Sequence, residues 1–155
     1  MSKANMLDLE GLRAYLTARI SPARALNLSL EAIDPVIVAA PLEPSLNDKG
    51  TAFAGSLFSA AALAGWALLT RWCTARSLDA EVALQSSNAR FLAPARADFR
   101  AIAREPPAAQ WEKLGRMLAR SGRGRAAVCV DVRCHEAVVM TLDGVYAVML
   151  AGRAK

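Results

Sequence analysis

The stretch Ala52-Phe53-Ala54-Gly55-Ser56-Leu57-Phe58-Ser59-Ala60-Ala61-Ala62-Leu63-Ala64-Gly65-Trp66-Ala67-Leu68-Leu69-Thr70-Arg71-Trp72-Cys73-Thr74 decides how the rest of the chain is read. Its first eighteen residues, Ala52 to Leu69, carry no charge, and Lys49 and Arg71 flank it. That length sits at the lower limit for crossing hydrocarbon. The content is Ala, Gly and Ser rather than Leu, Ile and Val, so membrane insertion is marginal. A helix without charge on any side is buried on every side. Its small residues, Gly55, Ser59, Ala60, Ala64 and Gly65, let a helix lie close against a sheet. The expectation is a wrapped helix inside a soluble domain, with no membrane partner.

Outward from that helix the periodicity supports a sheet. Leu7 to Ile20 reads as a helix, with Leu7, Leu12, Leu16 and Ile20 on one side and Pro22 ending the run. Leu26, Leu28 and Leu30 alternate with Asn27, Ser29 and Glu31, the pattern of a half-buried strand. Asp34-Pro35 signals a turn, and Val36-Ile37-Val38 a second strand ending at Pro41. Pro41 to Thr51 is a loop. Beyond the long helix, strands are expected over Glu81–Phe91, Asp98–Arg104, Arg125–Cys134 and Ala137–Leu150, with Gly144 marking a bulge or kink. Pro106 to Ser121 reads as a short helix or ordered connection. The order is α+β with an antiparallel sheet around one long helix, which is the hotdog architecture. At 155 residues one domain is expected, 1–155, with residues 1–23 as an N-terminal helical segment and 24–151 as the core.

Composition narrows the function. The chain is 54% hydrophobic and 21% charged, which excludes intrinsic disorder. The apolar content exceeds what a lone globule of this size needs, and an interface or ligand tunnel would use it. MSKANMLDLEGL has no long apolar core, so a cytoplasmic protein without a signal peptide is expected. The net charge of +5 is uneven: Arg90 to Arg125 holds nine basic residues against three acids. Such a field suits a polyanion or a phosphorylated ligand, or is a solvated arginine-rich face. No recognition motif or aromatic cluster accompanies it, so nucleic acid is not the expected partner. Cys73, Cys129 and Cys134 fit no metal spacing, and no metal is expected. The single histidine, His135, reads as a strand-end polar residue and leaves no triad of Ser, His and Asp to build.

One motif is longer than chance spacing. Asn47-Asp48-Lys49-Gly50-Thr51-Ala52-Phe53-Ala54-Gly55-Ser56-Leu57, followed by Leu63-Ala64-Gly65-Trp66, resembles the YiiD C-terminal thioesterase family of hotdog domains, whose pattern is N-x-K-G-T-x-F-x-G-S-L and then L-A-G-W. Ser87-Asn88-Ala89-Arg90-Phe91-Leu92-Ala93-Pro94 is similar to that family's strand after the helix, and Gly122-Arg123-Gly124-Arg125-Ala126 to its Gly-Arg turn. The resemblance covers roughly Leu26 to Leu150. It implies a homodimer, or a dimer of dimers, that hydrolyses acyl thioesters of coenzyme A or acyl carrier protein. No cofactor is implied beyond the coenzyme A carried by the substrate. The alternative on the same fold is a protein that binds acyl thioesters or fatty acyl chains without turnover.

The resemblance places the thioester at the start of the long helix. Unpaired N–H groups and the positive end of the dipole can hold a developing oxyanion there. Gly55 would let the backbone approach closely. Ser56 either caps the helix or touches substrate. Relatives with a defined mechanism carry a carboxylate on this helix or a histidine in the preceding loop, and Ala52 to Thr74 has neither. Asn47, Asp48, Gly55 and Ser59 are therefore the catalytic candidates, with Asp48 as a base. Asn47-Asp48 can also serve only to shape a turn, and Ser59 only to bond a helix carbonyl. Thr51, Phe53, Ser56, Ser86 and Asn88 are candidates for substrate contact. Arg123 and Arg125 beside Gly124, with Arg90 and Arg96, are candidates for the coenzyme phosphates.

Overall fold

The first helical run ends at Arg19, ahead of Pro22 as its pattern suggested, and Pro22 then sits in the first turn of a second helix. The computed structural model describes residues 8–152. Helix α1 spans Leu9–Arg19, capped by the Asp8 carboxylate, which accepts from Gly11 N at 2.8 Å. Leu7, the expected helix start, lies outside the described residues. Helix α2 spans Ser21–Ala25. Proline is tolerated in a first turn because its missing N–H would have no partner there. Leu26 and Asn27 are consumed in closing α2, so β1 runs over Ser29–Ile33 rather than from Leu26. The alternation of buried Leu28 and Leu30 survives the shift.

Strand β2 is Val36–Ala40 and pairs with β1 as a hairpin across Asp34-Pro35. A short 3-10 turn, Glu43–Ser45, leads to α3, Ala54–Thr74. Then follow β3 (Ala80–Phe91), β4 (Phe99–Ala103), α4 (Ala108–Ser121), β5 (Arg123–Cys134) and β6 (Ala137–Leu150). The six strands form one sheet in the order β1-β2-β4-β5-β6-β3, every neighbouring pair antiparallel. Helix α3 packs on β2, β3, β4, β5 and β6 along one face of it. This is the expected α+β arrangement of a sheet around a long helix. No helix is long and apolar enough to cross a membrane among the described residues.

One face of β5 is buried. Ala126, Val128, Val130, Val132 and Cys134 are buried and alternate with residues facing outward. Gly144 marks neither a bulge nor a kink. The irregularities lie between Leu84 and Ser86 in β3 and between Val132 and Arg133 in β5. Gly144 instead makes room for its neighbours: a Cβ there would meet the Tyr146 ring at 2.8 Å and Leu84 at 3.1 Å. Tyr146, fully buried, donates from its hydroxyl to the Ala62 carbonyl at 2.9 Å and ties β6 to α3. Gly65 permits this, since a Cβ there would stand 2.2 Å from that hydroxyl.

Candidate active site

The loop before α3 is braced by one side chain. Asn47 Oδ1 accepts from Lys49 N at 2.9 Å and Thr51 N at 3.1 Å, while its Nδ2 donates to Thr51 Oγ1 at 2.9 Å. Asn47 N donates to Thr51 O at 2.8 Å, and Gly50 turns the corner at φ 71°. Two further bonds anchor the loop's exit: Phe53 N to Ser45 O at 2.7 Å and Ala52 N to Ala95 O at 2.9 Å. The Asn-x-x-Gly-Thr segment thus fixes where α3 starts. It does so against the connection that follows β3.

The start itself has no side-chain cap. Phe53 occupies the N-cap position and has no oxygen to offer, so Ser56 is not the cap; it is buried in the first turn. The Phe53 carbonyl takes Ser56 N and Leu57 N. The N–H groups of Ala54 and Gly55 have no acceptor among the described residues. Ala54, at the first position of the helix, lines a cleft of about 380 Å³ together with Asn47, Ala52, Leu57, Phe91, Leu92, Ala93 and Pro94. Leu46, Phe53, Phe91 and Leu92 are the large apolar side chains most exposed to solvent, at 50 to 58%. Phe53, Phe91 and Leu92 belong to the two segments that bound the cleft, and Leu46 pairs with Ala52 in an isolated bridge beside it.

The candidates divide by location. Asn47 lines the cleft, and Gly55 sits under the Phe53 ring, where a Cβ would meet Phe53 Cε1 at 2.4 Å. Thr51 is buried against Asn47. Ser59 Oγ donates to the Gly55 carbonyl at 2.7 Å, a bond within its own helix. Asp48 is exposed and pairs with Lys49 Nζ at 2.9 Å, on the solvent side of the loop. Ser86, Asn88 and Arg90 alternate with inward-facing Ser87, Ala89 and Phe91, so they lie on the sheet face away from α3. Arg90 borders a smaller hollow of about 190 Å³ with Arg104, Cys129, Asp131 and Asp143. Arg96 is exposed in the connection from β3 to β4.

Arg123 and Arg125 lie at the other end of the sheet. Arg123 aligns through Met149 with Glu81, ten positions before Phe91 in β3, roughly 33 Å at 3.3 Å per residue. Within one protomer they do not reach the cleft. Part of the basic stretch is also neutralised in place. Arg100 pairs with Glu31, and Arg104 with Asp131 through a forked contact at 2.6 to 3.0 Å. Both guanidinium groups are held more firmly protonated by these hydrogen bonds. His135 caps the β5–β6 turn, exposed and at φ 51°.

Phe91, Leu92, Ala93 and Pro94 line the cleft and were not among the expected contacts. Their signal in the sequence was a strand that ends on two large apolar residues before a proline, where polar turn residues are usual.

Solved structures with the same architecture set the fold in context. A protein from Chlorobaculum tepidum of unknown function superposes with a TM-score of 0.85 at 22% identity, covering 94% of this chain and 98% of that one. A Shewanella oneidensis protein described as a "putative thioesterase" gives 0.81 at 25% identity over 90% and 95%. A Pseudomonas aeruginosa protein described as a "Probable Thioesterase" gives 0.77 at 24% over 91% and 95%. No curated protein matches the sequence. Helix α3, its braced start and the six-stranded sheet all fall inside the segment that matches a family model, residues 9–150, and the chain belongs to that family, described as "Putative thioesterase (yiiD_Cterm)".

Proposed function

We propose that the chain is a cytoplasmic thioester hydrolase that works as a homodimer on acyl-CoA or acyl carrier protein. The observation that carries this reading is the uncapped start of α3, whose first residue, Ala54, lines a largely apolar cleft. A thioester carbonyl oxygen placed there accepts from Ala54 and Gly55, and the same donors stabilise the oxyanion that forms when water adds to the carbonyl carbon. The C–S bond then breaks, and the proton taken from water leaves with the thiol. Asn47, its remaining Nδ2 hydrogen facing no partner in the loop, positions the water or the carbonyl. Asp48 serves as base only if a neighbouring protomer turns its solvent-facing side into the site. Arg90 and Arg96, with Arg123 and Arg125 from the partner, would meet the coenzyme phosphates. No cofactor other than the substrate's own coenzyme is invoked.

The second reading, binding without turnover, is favoured by one observation: α3 carries no carboxylate or histidine, and the acid of the loop before it, Asp48, is spent on Lys49 at the surface. Thiol release from a panel of acyl-CoA esters decides between them. Hydrolysis predicts release that falls at least about tenfold in Asn47→Ala, the loss of one positioned polar group. Absence of release from short, medium and aromatic esters, with calorimetric binding of a non-hydrolysable acyl-CoA analogue, would establish the second reading instead.

A further inference from the structure

A second cavity lies far from the start of α3. It measures about 520 Å³, and its walls come from the end of α3 and the chain just after it (Trp72, Arg76, Leu78) and from α4 (Trp111, Glu112, Gly115). Trp72 stands eighteen residues beyond Ala54 in the same helix, about 27 Å along its axis at 1.5 Å per residue. One small ligand cannot fill both this cavity and the cleft.

The walls are aromatic and cationic. The Trp72 and Trp111 rings stack with centroids 5.2 Å apart and planes 10° from parallel. The Arg76 guanidinium lies 4.2 Å from the centre of the Trp72 ring. A guanidinium stacked on a ring keeps N–H groups at its edge for a carboxylate. Arg76 Nη1 donates to the Trp72 carbonyl at 3.2 Å, and no acid pairs with Arg76 among the described residues. Trp111 Nε1 donates to Glu105 at 2.9 Å, whereas the N–H of buried Trp72 has no acceptor.

Gly115 is the second unexplained feature. A glycine inside a helix destabilises it relative to alanine. Elsewhere in this chain a glycine makes room for a neighbour: a Cβ on Gly124 would strike Leu114 Cδ1 at 2.7 Å. A Cβ on Gly115 would meet nothing within 4 Å. The space beside it is not used by the protein's own packing, and Gly115 lines the cavity.

We propose that this cavity binds an aromatic monocarboxylate, with its planar ring against Trp111 and Leu78 in the space beside Gly115 and its carboxylate on the free edge of Arg76. Aromatic rings favour a flat partner over an alkyl chain of the same size. An oxygen held at the Arg76 edge also comes close to the Trp72 N–H, the donor that lacks an acceptor. Glu112 lines the same cavity and opposes a second negative charge, so monoanions are selected over dianions. The site is independent of thioester hydrolysis.

Titration calorimetry of the full chain with naphthoate tests the site. Saturable binding of one ligand per chain is expected at roughly millimolar concentration or below. Arg76→Gln keeps the stem, removes the charge and should weaken binding roughly tenfold or more. Gly115→Leu fills the space with a better helix former and should abolish binding, while the helical circular dichroism is kept and the melting temperature is held or raised. Naphthylmethanol, which lacks the charge, nonanoate, which lacks the ring, and naphthalenedicarboxylate, which adds a charge, should each bind more weakly than naphthoate. Affinity unchanged in either variant, or no saturation at roughly millimolar naphthoate, would overturn the site. Nonanoate or the dicarboxylate binding as tightly as naphthoate would overturn the aromatic monoanion as its ligand.

Discussion

Gly65 and Tyr146 constrain one another across 81 positions of sequence, and neither tolerates change alone. The Tyr146 hydroxyl reaches the Ala62 carbonyl through the space a Cβ on residue 65 would fill. Gly65→Ala is therefore expected to lower stability by about 1–3 kcal/mol, the usual cost of overpacking, read as a lower urea midpoint. Burial pushes the Tyr146 hydroxyl well above its ordinary range. Because its folded value is raised, the stabilisation it gives is complete below the unfolded value of about 10 and is lost as pH rises beyond it. Tyr146→Phe should lose about 1 kcal/mol at neutral pH with the hydrogen bond, and should flatten the alkaline limb of a stability profile. The sequence already showed Gly65 thinning the contact between helix and sheet. It could not show which ring used the space, because Tyr146 is remote in sequence and its strand pattern allows either face until register is fixed. Cys129 is a second local case: its hydrogen bond to Asp143 raises the thiol above its usual range. Asp143→Asn should speed alkylation of Cys129 by iodoacetamide at pH 8 several-fold, since the thiolate is the reactive form.

At the scale of elements, the start of α3 is built for exposure of its N–H groups at the expense of helix stability. An N-cap residue with a side-chain acceptor ordinarily bonds one of the first N–H groups and adds about 1 kcal/mol. Phe53 supplies none. Replacing it by Ser should raise the melting temperature while lowering thioester turnover, because the new hydroxyl would compete for the donors that the substrate needs. A Phe53→Ser protein that is more stable and equally active would place the carbonyl elsewhere. The long helix was legible from its lack of charge, and the strands from their alternation, because both patterns follow directly from burial. Two features were not legible, for physical reasons. Pro22 ends the run of the first helix but also serves in the first turn of a second one, and the pattern alone did not show that second role. The irregularity in β3 sits at polar Gln85, where no glycine announces it, while Gly144, which looked like one, is a packing residue. The candidate site, proposed at the start of α3, was legible only as a loop-and-helix motif. Its wall from Phe91 to Pro94 was not, since that contact depends on how β3 leaves the sheet.

On the scale of the whole molecule, the surplus of apolar residues and the excess of positive charge point to the same missing surface. Leu46, Phe53, Phe91 and Leu92 are half-exposed, and Phe91 ends β3, the last strand in the sheet order. The charge is less concentrated than the linear count suggested, because Glu31 and Asp131 reach Arg100 and Arg104 from other strands. What stays open is the rim of the cleft. If that surface is covered by a second copy, folding and association are linked, and apparent stability depends on concentration. The melting temperature should then rise by a few degrees for each tenfold increase in protein, whereas a monomer would show no trend. Phe91→Asp is the sharper version of the measurement. It removes an exposed ring that a monomer does not need, so a monomeric protein should keep its stability within about 0.5 kcal/mol, as surface changes usually do. A dimer that seats Phe91 should instead lose both its concentration dependence and its turnover, because the charge would lie in the seam and at the cleft at once. Loss of turnover with the concentration dependence intact would assign Phe91 to the cleft alone.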